Sequence, residues 1–99
     1  MSQQFKWDAA KAAANLKNHG VPLEEALTVF ADPLARIFDD PDHSADEKRE
    51  IIIGHSAQQR LLVVGFTDRD DKTRIINARS ATPRERRAYE ENSQKSESR

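Results

Sequence analysis

The chain has 99 residues, a formal net charge of −1, no cysteine, and is 36% hydrophobic and 33% charged. That length allows one domain with a thin core, and the absence of cysteine excludes disulfides and thiolate metal sites. No apolar run is long enough to cross a bilayer and the N-terminus carries no signal peptide, so the expected location is cytoplasmic, with no membrane partner.

Asp8 is placed to cap a first helix, from about Ala9 to Asn18, and Gly20 supplies its stop. Ala9, Ala13 and Leu16 fall near one face of it, and Phe5 and Trp7 precede it as packing anchors. A second helix runs from about Leu23 to Ala31, where Leu23, Ala26, Leu27 and Phe30 recur at spacings of three and four. Asp32-Pro33 ends the helices. Leu34 to Phe38 reads as a short strand and Asp39 to Asp46 as a polar loop carrying Pro41. Three further strands are predicted, about Lys48 to His55, Arg60 to Thr67 and Lys72 to Arg79, joined by connectors of hairpin length. Thr82-Pro83-Arg84-Glu85 opens a last helix, with Thr82 as the cap, proline at the first helical position and Glu85 three residues past the cap. The polar segment Asn92 to Arg99 reads as a disordered tail, leaving residues 1–91 as the domain. This order predicts an α+β fold: two N-terminal helices, a four-stranded antiparallel sheet and a C-terminal helix, with the helices on one face.

The charges are unevenly placed. Asp39, Asp40, Asp42, Asp46 and Glu47 form an acidic stretch. Arg69, Lys72, Arg74, Arg79, Arg84, Arg86 and Arg87 make the last third basic. Each run has a bland reading as a solvated face. The sharper reading is a surface for an anion, because a guanidinium matches phosphate with two parallel hydrogen bonds. Arg79, at a strand end before the helix cap, is a candidate phosphate ligand or a bridge to Glu85. Arg74 is a second candidate or a solvated strand residue. Strand alternation puts the two on opposite faces, so both reach one phosphate only if the strand bulges or one lies at a rim. Lys17 and His19 either serve a site or compensate the dipole at the end of the first helix. Arg49 starts a strand, where a salt bridge to the acidic loop competes with a functional role. His55 at a strand end and His43 in the loop are weaker candidates. No two of the three histidines have zinc-ligand spacing.

The pieces Phe5-Lys6-Trp7-Asp8 with Lys11, Asn15-Leu16-Lys17-Asn18-His19-Gly20-Val21, Glu24-Glu25-Ala26, Val29-Phe30, Asp32-Pro33 and Leu61-Leu62-Val63-Val64 stand in a particular order. They are followed by Arg74-Ile75-Ile76-Asn77-Ala78-Arg79, Ala81-Thr82, Arg84-Glu85-Arg86 and Tyr89. In that order and spacing, over roughly ninety residues, the chain resembles the BrnT family of ribonuclease toxins from bacterial type II toxin–antitoxin systems. Asn77 departs from the pattern, the family commonly having serine there. The resemblance implies a RelE-like fold and metal-independent RNA cleavage that inhibits translation, with no cofactor and no metal. It implies neutralisation by a cognate BrnA-type antitoxin, with DNA contacted only through that antitoxin. It also raises Lys17 and His19 as catalytic candidates beside Arg79, Arg74 and Arg49, which are read from their strand positions, with Arg84 and Arg86 on the last helix read as RNA-binding residues. The competing expectation is a non-catalytic or degenerate toxin-fold protein that binds an antitoxin or nucleic acid.

Overall fold

The computed structural model describes residues 4–40, 48–69 and 71–97. The elements in chain order are β1 (Gln4–Lys6), α1 (Ala9–His19), α2 (Leu23–Thr28) continued by a 3-10 turn (Val29–Ala31), β2 (Arg36–Asp39), β3 (Glu50–His55), β4 (Leu61–Arg69), β5 (Lys72–Ser80) and α3 (Pro83–Glu97). The sheet is mixed and five-stranded, in the order β1-β5-β4-β3-β2. This corrects the expected four-stranded antiparallel sheet: β2 to β5 are antiparallel as anticipated, but Gln4–Lys6 adds a parallel edge strand along Lys72–Arg74. The strand is only three residues long and has no pattern of its own. Tertiary packing places it, with the Phe5 ring 5.0 Å from Phe30 and Phe30 in turn 5.2 Å from Phe66.

The helices do not share one face, which is a second correction. Val21, Leu23, Ala26 and Val29 pack with Ile52, Leu62, Val64, Phe66, Ile75 and Ala78 on one side of the sheet. Tyr89 of α3 packs with Ile53, Leu61 and Val63 on the other. Both clusters come from the same strands because β3 and β4 are apolar at consecutive positions, as strands covered on both faces must be. Helix α3 runs on to Glu97, past the expected boundary at Glu91. Side chains beyond Glu91 are outside the described set, as are the expected loop residues Pro41, Asp42, His43 and Asp46, with Glu47.

Helix α1 begins and ends as the sequence implies. Asp8 accepts from the Ala10 and Lys11 amides, and Gly20 closes the helix at φ 70°. Its buried face differs from the expected Ala9, Ala13 and Leu16. Leu16 is 51% exposed, whereas the polar Asn15 is only 5% exposed. The reason lies at the edge of β5, beyond the reach of β1. There the Asn15 amide donates to the Ala78 and Val21 carbonyls, each at 2.9 Å, and accepts from the Ala78 amide at 3.0 Å. One side chain thus does for Ala78 what a neighbouring strand would do, and its own polar atoms are satisfied in the process.

A second polar tie joins α2 to the β3–β4 turn. Glu25, 8% exposed, accepts from the Ser56 hydroxyl at 2.7 Å and from the Arg60 guanidinium, which also reaches the Gly20 carbonyl. The Arg60 hydrogen bonds hold the Glu25 carboxyl below its ordinary pKa, outweighing the opposing effect of burial. The described residues contain no helix long and apolar enough to cross a membrane.

Candidate functional site

The site begins with a fault in β5. Against β4, Ile75 pairs with Phe66 and Asn77 with Gly65, so Ile76 is an extra residue with no partner across the ladder. Such a bulge shifts the alternation by one. Directly opposed residues share a face. Arg74 opposes Thr67, Asn77 opposes Gly65 and Arg79 opposes Val63, and Val63, Gly65 and Thr67 alternate along β4 on one side. Arg74, Asn77 and Arg79 therefore lie on the same face, which regular alternation would not allow.

The register of the other strands extends this face sideways. One row across the sheet reads Arg36, Ile53, Val63, Arg79, and the next reads Phe38, Ile51, Gly65, Asn77. The pairing continues past β2, with the Asp40 amide donating to the Arg49 carbonyl, which sets Arg49 beside Thr67 and Arg74 in a third row. Helix α3 covers the apolar centre of the first row through Tyr89. In the second row Gly65 leaves room that the Asn77 side chain fills. A Cβ there would lie 2.8 Å from Oδ1 of Asn77, so the asparagine side chain reaches across the glycine.

Arg79 meets the start of α3. Its Nη1 and Nη2 donate to Oε1 and Oε2 of Glu85, each at 2.8 Å, and Nη1 also donates to the Ser80 carbonyl at 3.3 Å. Glu85 also closes the capping box, accepting from the Thr82 amide at 2.9 Å while its own amide donates to the Thr82 hydroxyl at 3.2 Å. One carboxylate thus caps the helix and fixes an arginine. The Arg79 hydrogen bonds, only partly opposed by burial, bring the Glu85 carboxyl down to a pKa of about 2.

A second latch holds α3 one turn later. The Tyr89 hydroxyl donates to Oδ2 of Asp32 at 2.7 Å and lies 3.1 Å from Nδ1 of His55. Because the phenol gives its proton to Asp32, His55 must donate to the phenol oxygen through Nδ1, which leaves Nε2 as the acceptor of the neutral ring. Asp32 also accepts from the amides of Leu34 at 2.9 Å and His55 at 2.8 Å. Burial opposes ionisation of this carboxyl, yet its donors more than compensate and its pKa is below the ordinary value. Sequence reasoning treated Asp32 only as a helix stop and His55 as a weak candidate. Their meeting with Tyr89 has no signal in a single sequence.

These two carboxylates make the docking of α3 sensitive to acid. A carboxyl with a lowered pKa in the folded state stabilises fully above its ordinary value, 4.5 for Glu85, and that contribution is lost as pH falls toward about 2. The ring NMR signals of Tyr89, the only tyrosine, should therefore broaden or shift toward free values as pH falls below the ordinary carboxyl range. They should do so before the N-terminal core unfolds. Loss of both in one step would show that α3 has no separate acid transition.

The other predicted residues are scattered. His19, with Lys11, Asn18, Ile76 and Asn77, lines a shallow cleft of about 200 Å³ between α1 and the bulge, so it approaches the arginine face only around the Asn77 edge. Lys17 is exposed on α1 and does not line that cleft, and Arg84 and Arg86 are exposed on the first turns of α3. Among the described residues no three His, Asp or Glu side chains are grouped to hold a metal.

A mixed α+β sheet with a bulge-aligned arginine face, clamped by a capped C-terminal helix, is the class of protein these features define. Residues 7–85 match the profile of the family described as ribonuclease toxin, BrnT, of type II toxin-antitoxin system. The chain belongs to that family. It is similar in fold to the Brucella abortus ribonuclease toxin BrnT, with a TM-score of 0.63 and 20% sequence identity over 82% of this chain and 99% of that one. No curated protein matches it in sequence.

Proposed function

We propose that this chain is a cytoplasmic, RelE-like endoribonuclease toxin that cleaves RNA without a metal ion, inhibits translation and is neutralised by a BrnA-type antitoxin. The observation that carries the reading is the Ile76 bulge, which aligns Arg74, Asn77 and Arg79 on one sheet face. Guanidinium groups there hold the scissile phosphate and stabilise the charge that grows on its oxygens. The ribose 2′-hydroxyl attacks the adjacent phosphorus, the 5′-oxygen leaves with a proton, and a 2′,3′-cyclic phosphate results. His19, which shares a cleft with Asn77, is a candidate for proton transfer. Arg49 adds charge in the third row, and Arg84 and Arg86 extend the basic surface along α3. Lys17 stands apart and serves the helix dipole better than the reaction.

The purified protein should cleave a labelled RNA in EDTA and leave 2′,3′-cyclic or 3′-phosphate ends. Cleavage lost in EDTA and restored by magnesium, or products ending in a 3′-hydroxyl, would reject the mechanism. A second reading, a toxin fold that binds without cleaving, is favoured by one observation: Glu85 occupies both terminal nitrogens of Arg79. The same EDTA experiment separates the two, since the binding module leaves RNA intact.

The antitoxin is expected to cover the arginine face, because a toxin is silenced most directly by occluding its phosphate-binding surface. Complementary charge should then make association slow markedly between low and high salt. Hydrogen exchange in the complex should protect Arg74 to Tyr89. Protection limited to α1 and α2 would mean inhibition from a distance.

A further inference from the structure

We infer that Phe38, on the edge strand β2, is a nucleobase-stacking subsite at the far end of the arginine face, a deepening that rests on the ribonuclease reading above. Phe38 stands in the same row as Asn77, with Ile51 and Gly65 between them. Strands lie about 4.8 Å apart, so the row spans roughly 14 Å from β5 to β2. The intervening floor is made by the exposed Asn77 side chain, which lies over the buried Gly65, and by the half-buried Ile51. A single strand with its phosphate at Arg74 and Arg79 crosses Asn77 and Ile51 to reach Phe38, along the row beside the one that helix α3 covers.

The chemistry at that end suits a base. Phe38 is half-buried, and its ring is covered by the Arg36 guanidinium, whose central carbon lies 5.1 Å from the ring centroid. Arg36 is exposed and two residues away on the same face, so its long side chain is free to swing. A cation over an aromatic ring is the arrangement into which a planar base inserts, stacking on the ring while the guanidinium takes its outer face or a phosphate. The charged rim of the face, with Arg36 and Arg49 at this side and Arg74 and Arg79 at the other, favours a polyanion over an apolar peptide. Stacking accepts any base, so the subsite supplies binding along the strand rather than recognition of one nucleotide.

The test is Phe38→Leu, which keeps an apolar side chain of similar size and removes the ring, with Phe38→Trp as the restoring variant and melting curves to verify the fold. Steady-state cleavage of single-stranded oligonucleotides of increasing length is the readout. With Phe38→Leu, KM should rise roughly tenfold on oligonucleotides long enough to reach β2, with kcat unchanged and no effect on the shortest substrates. Phe38→Trp should restore KM, and its emission should be quenched when RNA binds. Unchanged KM at every length, with cleavage intact in the parent, would remove the subsite and leave the ribonuclease reading standing. A parent protein that neither binds nor cleaves RNA would remove both. Weakened binding of an antitoxin with unchanged RNA kinetics would assign Phe38 to a protein interface instead.

Discussion

Arg79→Ala should lower RNA cleavage about 100- to 1,000-fold, the usual cost of removing one oriented donor to a transition-state oxyanion. The fold should survive, because the pair is partly exposed, with Arg79 41% and Glu85 23% accessible, and the Thr82–Glu85 capping box and the Tyr89–Asp32 hydrogen bond still hold α3. Arg79→Lys should rescue poorly, since an ammonium cannot make the two-pronged contact. The companion variant is Glu85→Gln. If Glu85 holds the guanidinium in waiting, neutralising the carboxylate should keep or raise cleavage while loosening α3. Arg87→Ala, on the exposed side of α3, is the mild control. Equal and small losses in Arg79→Ala and Glu85→Gln would make Arg79 an anchor for the helix, with the phosphate site elsewhere.

The largest effect on stability should come from Asn15. Asn15→Ala or Asn15→Leu leaves the Ala78 amide and the carbonyls of Ala78 and Val21 without their partner in a buried setting. Each such group costs about 1–3 kcal/mol, so the three together cost on the order of 3–9 kcal/mol. That is a large part of the roughly 5–15 kcal/mol that holds a typical domain folded. Equilibrium urea unfolding measures it. A loss under about 1 kcal/mol would show that water replaces the amide and that α1 is not pinned to β5 by this residue. The bulge is close by, so Asn15 variants should also disturb Asn77 and the cleft that carries His19.

Features that depend on neighbours along the chain were legible before the fold was known. The caps at Asp8, Gly20 and Thr82 with Glu85 are set by local hydrogen bonds and by glycine's tolerance of positive φ, and they stand where they were read. The same holds for the meander of β3, β4 and β5, because short connectors between apolar runs leave antiparallel pairing as the near solution. The basic bias of the last third, and the bridge from Arg79 to Glu85 as one of two readings, were also visible. The remaining features arise from contacts between distant parts of the chain. Gln4–Lys6 becomes a strand only because β5 offers it an open edge. Asn15 turns inward only because Ala78, paired with Val64 on one side, has no strand on its other edge, which no hydrophobic period can anticipate. The face shared by Arg74 and Arg79 depends on Ile76 dropping out of register against Gly65 and Phe66. Periodicity assumes a regular ladder, so a single unpaired residue reverses its answer for every side chain beyond it. The physical division is one of range: hydrogen bonds closed within a few residues are written in the sequence, and those closed across the sheet exist only once the chain has folded.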